Sequence, residues 1–261
     1  MEELSRPGMC CAQDAGADDD LDQSGVDDLV ERHCGFKANK TGGFQFKKLM
    51  FQSYLTGEIM TVALGSYLLG CFTSGYYLVR WRMGQDIRQL GSGNVGARNV
   101  GRVLGVPGFL GTLSMDIAKG ALAVWLTLHW AGQESLTGLA LVAVTVGHIW
   151  PFHLRFHGGK GVATSLGALA FYDIRLALFF VVYFCLALLL VRKTVLGGLV
   201  AFAILPLTSF LMGHEASKIF SIAVLAGLVV MAHRKNLADE INEMARARTA
   251  LSGRSDDESD S

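Results

Sequence analysis

Long uncharged stretches are the feature that most restricts how this chain can fold. Residues 59–79 form a run of 21 residues without a charged side chain. At about 1.5 Å per residue, a helix of that length crosses the hydrocarbon core of a bilayer, which is about 30 Å thick. Hydrophobic residues make up 51% of the chain and charged residues only 18%. This composition excludes an ordinary soluble domain with a polar surface all round.

Six further apolar stretches follow the first. They are residues 106–131, 135–154, 161–172, 176–191, 194–213 and 219–231. The stretch at 161–172 is too short for an ordinary crossing and is typical of a tilted half-span or a re-entrant segment. The sequence therefore predicts an all-α integral membrane protein with about seven transmembrane helices joined by glycine-rich cytoplasmic loops.

The two ends of the chain differ from its apolar middle. Residues 1–53 are acidic and lack an apolar period, which predicts a mobile N-terminal extension. Residues 54–236 are predicted to form the membrane domain, and residues 237–261 a cytoplasmic tail with an acidic end. The chain has 23 basic and 23 acidic residues, so no net charge attracts a nucleic acid, and we expect no nucleic-acid partner. The sequence identifies no protein partner.

The basic residues predict the orientation in the membrane. Fourteen Arg and Lys residues follow the first, third, fifth and seventh stretches, and only Arg175 and Lys218 lie in the opposite connections. Because cytoplasmic loops carry an excess of Arg and Lys, the first group is expected in the cytoplasm and the N-terminus outside. Four lysines between residues 37 and 48 favour the opposite orientation of the N-terminus.

Three polar clusters border the first, third and last stretches on the predicted cytoplasmic side. The first reads GSGNVGARNVGR, residues 91–102. Its glycines, Gly91 and Gly93 among them, allow backbone N–H groups to converge on one point. Its side-chain donors are Ser92, Asn94, Asn99 and Arg102. Such a set suits a phosphate, and the alternative is a loop whose arginines only set the topology.

The second cluster reads GHIWP and FHGGKGVAT, residues 147–151 and 156–164. Glycines surround Lys160 at the start of an apolar helix, which predicts an anion site made by N–H groups, the helix end and the ammonium. A nucleotide P-loop is excluded because Gly161, rather than Ser or Thr, follows the lysine. The candidate binding residues here are His148, Gly158, Gly159, Gly161 and Thr164. No Cys or carboxylate near the histidines supports a metal, so we expect hydrogen-bonding histidines and no metal site.

The third cluster is His233 and Asn236, which are three residues apart and so share one helical face. Its alternative role is a topology anchor at the membrane boundary.

Asp116 and Lys119 interrupt the second apolar stretch with the same spacing. Each charge would cost about 2.5–3.5 kcal/mol at the bilayer centre. They are therefore expected to pair with each other or to line a polar cavity.

Taken together, the clusters resemble the bacterial acyl-phosphate:glycerol-3-phosphate acyltransferases. The match is to GSGNVGARNVGR, GHIWPFHLRFHGGKGVATSLG and HRKN, in that order, over residues 59–236. The resemblance implies seven helices and a cytoplasmic active site in the cell membrane, with the lipid bilayer as partner and without a cofactor. It also implies transfer of a fatty acyl group from acyl phosphate to the 1-hydroxyl of glycerol 3-phosphate. The products would be lysophosphatidate and phosphate, in the first step of phospholipid synthesis.

The resemblance assigns roles to individual residues. It implies a catalytic set of Ser92, Arg102, Lys160, His233 and Asn236, with the loop 158–161 around the donor phosphate. An acyl phosphate is already activated, so direct transfer is expected, with a substrate phosphate oxygen or His233 as base. Arg98 stands where the family usually has Thr and adds a cation. An anion transporter and an inactive paralogue that binds lipid precursors are the alternative functions.

Overall fold

The computed structural model describes residues 42–238, with side-chain surroundings from residue 56 onward. All regular structure within these residues is helical. The α-helices are α1 Gly42–Cys71, α2 Ser74–Met83, α3 Ala97–Trp130, α4 Glu134–Ile149, α5 Val162–Tyr172, α6 Ile174–Val191, α7 Thr194–Leu211 and α8 Ala216–Ala232. Short 3-10 turns at Ile87–Gln89 and Phe152–Leu154 precede the two glycine-rich loops. The described chain divides after Gly57, and the candidate site lies in the unit that begins at Glu58.

Several of these segments are long and apolar enough to cross a membrane. Five qualify: Thr56–Met83, Ala97–Trp130, Glu134–Leu154, Ile174–Val191 and Thr194–Leu211. Helices α5 and α8 are also apolar but have only 11 and 17 residues. The predicted all-α membrane architecture is confirmed. The count of seven crossings stays a prediction, because it depends on these two shorter helices.

The N-terminal boundary of the helical region differs from the predicted one. Helix α1 begins at Gly42, inside the predicted extension 1–53. Residues 1–41 and 239–261 lie outside the described part. The greater part of the predicted extension and of the predicted tail 237–261 therefore falls outside it.

Helix α3 is bent near its start. Gly105 has φ +73° and ψ −166°, which is not helical, and Pro107 follows it. A short arm, residues 97–104, therefore precedes the long apolar segment. The arm packs closely on that segment, because a Cβ at Gly101 would lie 2.9 Å from the Cβ of Phe109. The predicted second stretch starts at residue 106, directly after this bend.

Glycines set the closest helix contacts. A Cβ at Gly120 of α3 would lie 2.0 Å from the carbonyl oxygen of Thr164 on α5. A Cβ at Gly167 of α5 would lie 2.0 Å from the carbonyl oxygen of Ile117 on α3. Gly70 and Gly147 make a similar contact between α1 and α4. Small residues allow membrane helices to approach closely, where van der Waals packing holds them together. The start of α5, which carries the second polar cluster, is thereby fixed against α3.

The substitution Gly120→Ala tests this contact. We expect it to lower the free energy of unfolding by about 1–3 kcal/mol, since the methyl group would push α3 and α5 apart. The matched control is Gly227→Ala in α8, where nothing lies within 4 Å of an added Cβ. There we expect a neutral or slightly stabilising effect of about 0.5–1 kcal/mol. Denaturation midpoints in detergent measure both, and equal midpoints would refute the role of Gly120.

Candidate active site

The loop before α3 is organised by one buried side chain, Asn99. Its Oδ1 accepts the N–H of Ser92 at 2.8 Å, and its Nδ2 donates to the carbonyls of Leu90 and Asn94 at 2.9 Å each. Asn99 is only 1% exposed. The hydrogen bonds it makes here go to the loop itself rather than toward a ligand. Asn99 thus shapes the cluster in which we expected it to contact substrate.

The same loop prepares the start of α3. Gly91 has φ +57°, and a Cβ there would lie 2.3 Å from Oδ1 of Asn99. Asn94 Oδ1 accepts the N–H of Gly96, the residue that precedes α3, at 2.8 Å. Gly93 turns the chain between these two points, and its N–H donates to the carbonyl of Leu90 at 3.0 Å. These hydrogen bonds therefore hold Ser92 close to the first turn of α3.

A shallow cavity of about 310 Å³, largely open to its surroundings, lies at the bend of α3. It is lined by Arg98, Gly101, Arg102, Gly105, Val106 and Phe109. Two guanidinium groups and two apolar side chains border one space, which suits a molecule with an anionic head and an apolar tail. We predicted Arg102 in the site but not the cavity itself. The sequence signal for it was Gly105 followed by Pro107, a helix-breaking pair inside an apolar run.

The second glycine loop lies against the end of α4. Gly158 and Gly159 donate their N–H groups to the carbonyls of Ile149 and His148 at 3.1 and 3.0 Å. A Cβ at Gly159 would lie 2.0 Å from the ring Nε2 of His148. Since these two N–H groups hold the loop in place, the anion donors expected here have to come from residues further on. Gly161, with φ +82°, is the residue directly before α5 and the first residue of the predicted stretch 161–172.

Lys160 reaches the third cluster. Its Nζ donates to Oδ1 of Asn236 at 2.5 Å, although the two residues are 76 positions apart. His233 is buried beside them, and its Nδ1 lies 2.8 Å from the carbonyl of Val229. An Nδ1–H that donates to this carbonyl leaves Nε2 of the neutral ring as an acceptor. The structure thus brings the second and third clusters together.

The electrostatic surroundings keep His233 neutral. Burial lowers its pKa below the ordinary value, the Val229 carbonyl opposes this, and the cations Lys160 and Arg98 lower the pKa further. Arg98 belongs to the first cluster, so all three clusters act on the same imidazole. At neutral pH this ring can accept a proton.

Arg88, just before the first cluster, contacts Leu154, which lies between the two parts of the second cluster, a role the sequence did not suggest. Its Nη1 donates to the carbonyl of Leu154 at 2.9 Å, and its Nη2 lies 2.6 Å from Oδ2 of Asp86. The hydrogen bond from Arg88 holds the pKa of Asp86 below its usual value despite partial burial. Leu154 is itself buried in a small core with Val95 and Val100. The Asp86-x-Arg88 spacing was the available signal, but Arg88 had been counted only among the basic residues that predict the topology.

The intramembrane charges Asp116 and Lys119 pair at 3.1 Å, one of the two arrangements we expected. His148 lies beside them, and it is only 3% exposed.

Thr164, the remaining predicted binding residue, is fully buried in the first turn of α5. Its hydroxyl has no hydrogen-bond partner among residues 42–238. Within this same range, no three His, Cys, Asp or Glu side chains are grouped so that they could hold a metal ion.

The fold and the site together define an integral membrane protein with a cationic centre. The loops that follow α2, α4 and α8 build this centre, and a cavity with one apolar wall opens beside Arg102. Comparisons with known proteins identify the family.

The family model described as glycerol-3-phosphate acyltransferase matches residues 60–243. Glycerol-3-phosphate acyltransferase 1 of Desulfitobacterium hafniense is 44% identical over 186 residues, which cover 71% of this chain and 92% of that protein. The corresponding Bacillus cereus protein is 36% identical over 171 residues, which cover 66% and 94%. The chain belongs to the glycerol-3-phosphate acyltransferase family, and it is a membrane enzyme. The family resemblance inferred from the three motifs is confirmed.

Solved structures agree with this assignment. The crystal structure of PlsY (YgiH), an integral membrane glycerol 3-phosphate acyltransferase, in its glycerol 3-phosphate form matches with a TM-score of 0.66 and 29% identity. The match covers 71% of this chain and 92% of that one. The lysophosphatidic acid form matches with a TM-score of 0.64 and 27% identity.

Proposed function

We propose that this enzyme transfers a fatty acyl group from acyl phosphate to the 1-hydroxyl of glycerol 3-phosphate. The products are lysophosphatidate and inorganic phosphate. The observation that carries the proposal is the 2.5 Å contact between Lys160 and Asn236, with the buried His233 beside it. Both substrates carry a phosphate, so a reaction between them needs several cations around one proton acceptor. The cavity beside Arg102 supplies the apolar wall that a fatty acyl chain needs.

The reaction requires little covalent chemistry from the protein. The acceptor oxygen attacks the carbonyl carbon of the acyl phosphate, the bond from that carbon to the phosphate oxygen breaks, and phosphate leaves with the electron pair. Holding two anions together and stabilising the charge on the carbonyl oxygen are the main tasks. Lys160, aligned by Asn236, and Arg102 supply the positive charge for both.

The hydroxyl proton of the acceptor goes to a phosphate oxygen of the substrate or to Nε2 of His233. The lowered pKa of His233 keeps the ring neutral and able to accept it. His233 Nδ1 is bonded to the carbonyl of Val229 rather than to a carboxylate. This favours Ser92 as a hydrogen-bond donor to substrate over Ser92 as a nucleophile in a Ser–His–Asp relay.

The site faces the cytoplasm in this proposal, and the protein is a multi-pass protein of the cell membrane that acts at the start of phospholipid synthesis. The excess of Arg and Lys in the loops that build the site supports this orientation. The hydrophobic donor then enters from the bilayer, and the acceptor enters from the aqueous side.

The decisive assay supplies purified protein in lipid nanodiscs with palmitoyl phosphate and labelled glycerol 3-phosphate. We expect labelled lysophosphatidate and one phosphate released per acyl group transferred. Palmitoyl-CoA in place of palmitoyl phosphate should give no product, because no His-x-x-x-x-Asp signature for thioester donors occurs in the sequence. Equal use of palmitoyl-CoA would refute the donor assignment. Binding of glycerol 3-phosphate without turnover would identify an inactive paralogue, and release of bound substrate across the membrane would identify a transporter.

A further inference from the structure

A buried polar network lies behind the second glycine loop and has no role in the mechanism above. Nζ of Lys119 lies 3.1 Å from Oδ1 of Asp116 and 2.7 Å from Nδ1 of His148. The three residues are 2–4% exposed. A buried ion pair of this kind rarely stabilises a fold relative to apolar residues of similar size. Its presence behind a binding loop therefore calls for a second explanation.

The network ties together the segments that carry the site. Lys119 also donates to the carbonyls of Gly70 and Phe72, at 3.1 and 2.6 Å, where α1 ends. Ser74, the first residue of α2, donates its hydroxyl to Oδ1 of Asp116 at 2.9 Å. The last carbonyls of a helix lack partners within that helix, so a cation there satisfies them. Helices α1, α3 and α4 thus meet at one ammonium group, and α2 is joined to it through Asp116.

An ammonium group at Lys119 requires one tautomer of His148. An ammonium group donates hydrogen bonds and accepts none, so Nδ1 of His148 is the acceptor in the 2.7 Å contact. The proton of the neutral ring is therefore on Nε2. A doubly protonated ring would place an N–H against the ammonium, which that distance excludes.

The Nε2 side of the ring faces the second glycine loop. It occupies the space that a side chain at Gly159 would need, and the carbonyl of His148 accepts the N–H of Gly159 at 3.0 Å. Lys160 is the next residue. The orientation of this imidazole consequently determines where the loop and its lysine lie, and it places an N–H donor at the loop.

We propose that Asp116 and Lys119 are positioning residues, which hold His148 as the Nε2–H tautomer and direct that N–H to a phosphate at the 158–160 loop. The identity of this phosphate, as part of an acyl-transfer substrate, rests on the proposed function. The tautomer of His148 and its dependence on Lys119 do not rest on the proposed function.

The first experiment measures the tautomer directly. The chain contains seven histidines, so ¹⁵N spectra of the full protein, labelled at histidine, are compared with those of His148→Asn to assign His148. We expect the Nε2–H tautomer at neutral pH, and a shift of its Nε2 signal on addition of glycerol 3-phosphate or inorganic phosphate. In Asp116→Asn/Lys119→Met we expect a mixture of tautomers. An Nδ1–H or doubly protonated His148 in the unsubstituted protein would overturn the proposal, as would an Nε2 signal unmoved by both ligands.

The second experiment separates positioning from a structural role. In His148→Asn the shorter amide still offers an acceptor to Lys119 but has no group at the Nε2 position. We expect KM for one of the two phosphate substrates to rise about tenfold, with kcat within about twofold, for the loss of one hydrogen bond to an anion. His148→Gln, whose amide nitrogen reaches the Nε2 position, should recover most of this loss. Equal kinetics for the two variants would overturn the proposal.

Substitution of a second ion pair, away from the site, is the control for loss of an ion pair. Glu134 and Lys218 are 2.7 Å apart and border neither glycine loop. Glu134→Gln/Lys218→Met should leave both KM values unchanged, whereas Asp116→Asn/Lys119→Met should raise one of them. If the unsubstituted enzyme forms no lysophosphatidate, the proposed function fails, while the ¹⁵N spectra still decide whether Lys119 sets the tautomer.

Discussion

Replacement of Lys160 by alanine is expected to lower kcat/KM for the acylation of glycerol 3-phosphate by about 10²–10³-fold. Lys160 is the cation that the second cluster brings to Asn236, and charge stabilisation of this kind is commonly the largest single contribution to catalysis. No other group on the 158–161 loop carries a charge, so no neighbour replaces the ammonium when it is removed.

The control for this variant is Lys193→Ala. Lys193 lies directly before α7 and is predicted on the same side of the membrane, so the net charge changes equally. We expect at most a twofold change there. Initial rates with palmitoyl phosphate, together with denaturation midpoints of both variants, give the comparison. A folded Lys160→Ala enzyme with activity within tenfold of the unsubstituted protein would refute the assigned role.

Insertion of a single methyl group at position 159 is expected to abolish most activity. In Gly159→Ala the new Cβ would lie 2.0 Å from Nε2 of His148, a distance that side chains do not tolerate. The loop therefore has to move, and Lys160 moves with it. We also expect the free energy of unfolding to fall by about 1–3 kcal/mol, as in other overpacked sites. Gly198→Ala, in α7, is the matched control, because nothing lies within 4 Å of its added Cβ.

A double substitution tests whether the clash is the cause. Removal of the ring in Gly159→Ala/His148→Ala frees the space, so the stability lost in the single variant should be partly recovered. Since His148 is also a proposed donor, activity should stay low. Additive losses of stability in the two single variants would show that Gly159 and His148 do not interact, and would exclude the contact as the origin of the effect.

Much of the architecture follows from local sequence. A helix crosses the bilayer when about 20 consecutive residues are apolar, and this depends on no distant partner. The motif residues were recognised from their local glycine-rich polar patterns, and the start of the apolar run at Gly161 lies one residue before α5. Helix α1 begins at Gly42, well before the uncharged run 59–79, so a search for uncharged runs does not place its start.

The roles of individual residues were less predictable. Asn99 looks like a free donor in the sequence, yet its amide is bonded to the loop backbone, because only the folded loop brings those carbonyls within reach. Arg88 looks like a topology charge, yet it fixes Leu154 across the site. In both cases the partner is determined by the path of the backbone rather than by spacing.

The sequence alone determined that this chain enters a membrane as helices, and which polar residues lie at the ends of those helices. The tertiary structure decided the partners: Asn236 for Lys160, and His148 for Lys119. The free energy of partition into lipid is a sum of contributions from residues next to each other in the sequence. A contact between residues 76 positions apart depends instead on how closely the helices pack. That packing is set where Gly120 and Gly147 allow backbones to touch.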